Sequence, residues 1–239
     1  MELAAQLPAA KRRRHIDLLP TLGGVFFALV IIGAVLAPFL TPYDPGKITI
    51  TARFQPPSLA HPFGTDDFGR DVLARVLYGS RTILITGFAS VAGALLIGGV
   101  IGVLAGFAGG RMDNVLMRLM DIMLSFPAVL LAILIVASLG AGLVNAIVAI
   151  IFSMIPSFAR IARARTIQIM EEQFILASQS LGGHGVWLIM RHVLPNLAPL
   201  MIVQTTAMLA VAFSLSSALN FLGLGVDPSI PDWGLMVSD

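Results

Sequence analysis

The chain has 239 residues, 57% of them hydrophobic and 12% charged, with a mean hydropathy of +0.91 and a formal charge of +2. Soluble domains average about 25% charged residues, so this composition suits a bilayer, and +2 is too small a charge to draw nucleic acid. Cysteine is absent, which excludes disulfides, thiolate metal sites and a cysteine nucleophile.

Lys11, Arg12, Arg13 and Arg14 stand just before the first apolar run. Such a block resembles the start of a cleaved signal peptide. The long apolar run that follows, with no small-residue cleavage site after it, favours a retained first span over 22–40 behind a cytoplasmic tail at 1–19. A spanning helix needs about 20 mostly apolar residues. Uncharged runs predict further spans over 82–107, 115–139, 143–158 and 197–219, with Gly140 and Gly142 dividing the third from the fourth. The fifth is expected to begin near Pro195 to Pro199, because proline suits a helix's first turn.

Gly98, Gly102 and Gly106 recur every fourth residue in the second span, with Ala94 one step earlier. This stripe lets another backbone approach closely, either within the chain or on a second membrane subunit. Arg118 and Asp121 are three apart and can face each other on one side of the third span. Pro127 is expected to kink that span. No carboxylate lies deep in any span, which argues against a proton-coupled carrier.

Positive residues in short loops orient the spans. The N-terminal block and the Arg160, Arg163, Arg165 cluster put the N-terminus and the loop 160–195 in the cytoplasm, and the loop 41–81 outside.

Catalytic patterns are lacking. His15, His61, His184 and His192 form no HExxH, serines lack a GxSxG context, and neither Lys11 nor Lys47 follows the glycines of a P-loop. The chain reads as a non-enzyme with no cofactor, so ATP-driven work would need a second protein.

The segment FILASQSLGGHGVWLIMRHVLPN, from Phe174 to Asn196, is too polar to span and too apolar for a linker. Phe174, Ala177 and Leu181 form a stripe at helical spacing. Gly182 and Gly183 then turn the chain. Val186, Trp187, Met190 and Val193 make a second short amphipathic helix ending before Pro195. Such a helix lies on the membrane surface or docks into a groove on a partner.

This segment resembles the coupling loop of ABC importer permeases, whose motif runs E-A-A-x-x-x-G and later I-x-L-P. Ala177 and Gly182 match, as do Val193, Leu194 and Pro195 at the end. Leu176 stands where the family has glutamate and Ser178 where it has the second alanine. Arg191 and His192 fit the dipeptide, oligopeptide and nickel branch. The stretches from His61 to Leu84, Asp113 to Ala132 and Asn220 to Gly234 resemble further signatures of that branch, so the likeness covers about 20–239.

The resemblance implies an all-α membrane protein, a polytopic helical bundle of the type I ABC importer permease class, in the bacterial inner membrane. It implies pairing with a second permease subunit, two ATP-binding cassette ATPase subunits and an extracytoplasmic substrate-binding protein. It assigns ATPase coupling to Ala177, Ser178, Gly182, Gly183, His184, Val186, Trp187, Leu194 and Pro195. The favoured cargo is a di- or oligopeptide, with nickel and glutathione as alternatives. Family members continue into a sixth span where this chain stops at Asp239, and truncation is the expectation. A secondary carrier and a non-transporting scaffold are the competing readings.

Overall fold

A computed structural model describes residues 18–238. The basic block Lys11–Arg14 and most of the tail at 1–19 lie outside the described residues. Among the described residues the architecture is all-helical, apart from one isolated bridge between Thr65 and Asp71.

Helix α1 spans Leu18–Leu40 and α2 spans Val72–Ala108. Helix α2 starts ten residues before the expected second span, because Asp71 caps it by accepting from Ala74 N–H at 2.7 Å. Its far end stops at Gly109, whose φ of +61° a helix cannot continue.

The expected third span is two helices. Helix α3 covers Gly110–Leu124 and α4 covers Ala128–Leu139, and they meet at 90°. Pro127 therefore breaks the helix rather than kinking it. Ser125 lies in the αR region and its N–H closes the last turn of α3, after which Pro127 is extended and starts α4.

Helix α5 (Leu143–Met170) outruns the expected fourth span by twelve residues and absorbs the first part of the predicted 160–195 loop. Helix α6 covers Gln173–Ser180 and α7 Gly185–Leu188. A π-helical turn, Ile189–Val193, then leads straight into α8, Leu194–Phe221. Gly185–Phe221 is thus one apolar helical unit of 37 residues, and the expected break at Pro195 does not occur. Proline lacks an N–H. The wide turn just before it takes up the mismatch, with Leu194 N–H bonded to Ile189 C=O. Helix α9, Trp233–Ser238, ends the described chain.

Among the described residues, four helices are long and apolar enough to cross a membrane, or five crossings if α3 and α4 count as one. Helices α2 and α5 run side by side in the same direction, and the glycine stripe is their seam. A Cβ on Gly98 would lie 2.6 Å from Ile155 O, on Gly102 2.2 Å from Ala159 O, and on Gly106 2.8 Å from Arg163 O. The stripe serves packing within the chain. Val91, Ala94, Ile150, Met154 and Phe158 fill the core around this seam, joined by Val136 from α4 and Leu215 from α8.

Candidate functional site

The four elements from α5 to α8 turn the chain back at one end of the bundle. Helix α5 ends at Met170, and Glu171 and Glu172 start the reversal into α6. Helix α6 is anchored by Ile175, which is fully buried in the main core. After the turn, Val193 is buried in the same core, and Leu188 is buried too. These three side chains tie the segment to the bundle. Of the three, only Val193 belongs to the stripes that helical spacing picked out. Phe174 is partly exposed and stacks beside His192, with ring centroids 5.8 Å apart. Leu181 is 91% exposed.

The two glycines do different things. Gly182 has a φ of +91° with open space around it, so glycine is needed there for the backbone alone. Gly183 is needed for contact. A Cβ there would lie 2.7 Å from Ser178 Oγ and 2.9 Å from the Trp187 ring. Gly183 N–H donates to Ser178 C=O at 2.9 Å, which fastens the tip to α6. The His184 ring sits 2.7 Å from Gly182 C=O through Nδ1. Trp187 meets His192 edge-on at 5.3 Å, and Ser178 Oγ lies 3.4 Å from His192 Nε2. His192 is thus the hub on which α6 and α7 close, although the motif did not place it in the site. Its spacing from Phe174, Ser178 and Trp187 joins two helices across a turn, which no single helical period exposes.

Of the nine expected residues, Ser178, Gly183 and Trp187 come together around the turn. Ala177, Gly182, His184 and Val186 lie along the tip. Leu194 and Pro195 stand further on, at the start of α8. The outward surface is apolar: Leu176, Leu181, Val186, Trp187 and Met190 are all more than half exposed. Exposed Leu176 extends this apolar surface toward α6. Beside it runs a groove of about 550 Å³ between α2 and α8, lined by Leu96, Val100, Leu104, Met190, Leu194 and Met201 among others.

At the other end of the bundle the stretch Gly64–Val72 folds on itself. Asp66 accepts from Arg70 Nε at 2.6 Å, from the N–H groups of Phe68 and Arg70 at 2.9 Å, and from the Arg75 guanidinium. Burial pushes the Asp66 carboxyl up, but these donors outweigh it and hold it below the ordinary carboxylate range. A Cβ on Gly69 would lie 1.9 Å from Thr49 O. Asp71 caps α2 and holds His61 Nδ1 at 2.9 Å. The residue types of this signature are explained by its own folding.

The comparisons agree with this architecture. Residues 98–239 match the family model described as binding-protein-dependent transport system inner membrane component. Residues 19–57 match the N-terminal TM domain of oligopeptide transport permease C. The chain is 44% identical to the dipeptide transport system permease protein DppC of Alkalihalophilus pseudofirmus, over 92% of this chain and 73% of that protein. It is 40% identical to the di/tripeptide transport system permease protein DppC of Pseudomonas aeruginosa, over 91% and 74%. It is 36% identical to the oligopeptide transport system permease protein OppC of Bacillus subtilis, over 92% and 72%. Among solved structures, the MetNI methionine ABC transporter in inward-facing conformations matches with a TM-score of 0.57 and 20% identity, over 67% of this chain and 86% of that one.

The chain belongs to the family of binding-protein-dependent transport system inner membrane components. It is a permease subunit of an ABC importer, a multi-pass protein of the inner membrane.

Proposed function

We propose that this permease carries di- or oligopeptides and is driven by a separate ATPase that grips the α6–α7 turn. The observation that carries this reading is the build of the turn. An apolar tip of Leu181, Val186 and Trp187 stands free on a segment anchored by Ile175, Leu188 and Val193, and it continues without a break into α8. A push on Val186 or Trp187 is passed to α8 as a lever, because Gly185–Phe221 is one helical unit. The permease then contributes differential contacts in two states rather than chemistry.

In this reading the tip faces the cytoplasm with the N-terminus, and the loop before α2 faces outward. A related permease completes the pathway, two ATPase subunits lie below, and a binding protein delivers cargo. Peptide cargo rests on the relatives that are named for dipeptides, di/tripeptides and oligopeptides.

Gly182→Val tests the coupling. A β-branched residue is strained at that φ. Membrane insertion is expected to be normal while peptide uptake falls at least tenfold, a loss of about 1.4 kcal/mol in coupling. Uptake equal to the parent's would sink the coupling role.

A further inference from the structure

We propose that α3 is a bilayer-surface helix that binds anionic lipid headgroups through Arg111 and Arg118, on the membrane face where the α6–α7 turn lies.

Helix α4 runs beside α5: Asn145 Nδ2 donates to Leu139 C=O at 3.1 Å, and Ser153 Oγ donates to Ala128 C=O at 3.2 Å. Helix α3 turns away from α4 by 90°. Its carboxylates Asp113 and Asp121 are about 12 Å apart along α3, yet their partners Arg163 and Arg160 are only about 4.5 Å apart along α5. Helix α3 therefore crosses α5 and lies in the plane of the membrane. Its level is set by Arg160 and Arg163, about 25 and 30 Å from the start of α5, where a hydrocarbon core of about 30 Å ends.

At 100° per residue α3 has three faces. Asp113 and Met120 are buried against the bundle. Met112, Val115, Leu119 and Ile122 form an exposed apolar stripe, Val115 being 61% and Ile122 56% exposed, and Phe126 prolongs it beyond the helix. Asn114, Arg118 and Asp121 form a polar face. Arg111 and Arg118 sit on the border between the stripe and the polar face. An interfacial helix has this build: apolar residues in the acyl region, polar residues in water, and arginines at the phosphates between them. Positive side chains there complement anionic headgroups.

The chain has no cysteine, so Leu119→Cys and Asn114→Cys each give this chain a single fluorophore; the label is read in the transporter purified from its own membrane and placed in nanodiscs, with the transporter of unsubstituted chain labelled in parallel and subtracted. Acyl-brominated lipid is expected to quench the label at 119, and aqueous iodide the label at 114. Arg111→Gln with Arg118→Gln is expected to lower retention of phosphatidylglycerol relative to phosphatidylcholine by about fivefold per arginine. The two Arg→Lys changes are expected to preserve it. A label at 119 that is shielded from lipid and cross-links to a second membrane subunit would make the stripe a subunit interface and overturn the proposal. Quenching at 119 by iodide would make it a water-lined wall and overturn the proposal as well. Unchanged lipid retention in the glutamine variant would remove the headgroup role.

Discussion

Asp121 on α3 accepts a hydrogen bond from Arg160 on α5 at 2.6 Å, across two helices, and not from Arg118 one turn away on its own helix. Helical spacing allowed the local pair, but tertiary packing chose the distant one. Both partners are about half exposed, so the pair is worth less than about 1 kcal/mol. A double-mutant cycle with Asp121→Ala and Arg160→Ala, read by thermal unfolding in detergent, is expected to give a coupling in that range. Arg118→Ala is expected to couple to neither.

The neighbouring pair is stronger. Arg163 meets Asp113 through both Nε and Nη2, and Asp113 is largely buried. Bidentate charge-assisted pairing contributes about 1.5–3 kcal/mol. Asp113→Ala is therefore expected to lower the unfolding midpoint clearly more than Asp121→Ala. Equal midpoints for the two variants would contradict the difference in burial and geometry.

At the glycine seam, cost should follow space. A Cβ on Gly102 meets backbone at 2.2 Å, whereas one on Gly99 meets only the end of Met201 at 3.9 Å. Gly102→Ala is expected to destabilise by at least about 1–3 kcal/mol through overpacking. Gly99→Ala should be neutral or slightly stabilising, since alanine favours the helix. Folded yield after detergent extraction and the unfolding midpoint check both.

Two carboxyl groups outside the spans respond to pH in opposite directions. Asp66 is held low, so its contribution is present above the ordinary carboxylate pKa and is lost as pH falls through the folded value. Asp232 is fully buried, and burial pushes its carboxyl up despite donors from Gly234, Asn220 and Leu235. Its contribution is present at acid pH and is lost as pH rises through the folded value. Asp232→Asn is expected to flatten the loss of stability between the ordinary carboxylate pKa and that value. Asp66→Asn is expected to lower stability at neutral pH and to flatten the acid limb. Midpoints measured from about pH 3 to 8 (a range set by these carboxylates) test the two signs independently.

Much of the architecture was legible in the sequence because charge is so costly in a bilayer that uncharged runs mark the helices. The Gly98–Gly102–Gly106 seam was readable for a related reason, since spacing by four leaves little choice of face. The helix ends were not readable. Helix α2 starts at its Asp71 cap in a polar stretch, and α5 carries Arg160, Arg163 and Arg165 beyond the apolar run. The break at Pro127 was underestimated because a proline alone does not say whether tertiary contacts will straighten or split a helix. In the turn, Gly182 and Gly183 announced the reversal correctly. The anchors Ile175 and Leu188 were missed because the stripe they belong to is interrupted by that reversal, while the exposed stripe looked equally regular.

The most direct measurement of the central claim is a photocross-link from position 187. A photoreactive residue replaces Trp187 in the full chain within its own membrane, and the adducts are identified by mass spectrometry. The account predicts an adduct with an ATPase that carries a P-loop, formed more strongly from position 187 than from buried position 188. Adducts with lipid alone, under both resting and ATP-trapped conditions, would contradict it and make the α6–α7 turn a membrane-surface element.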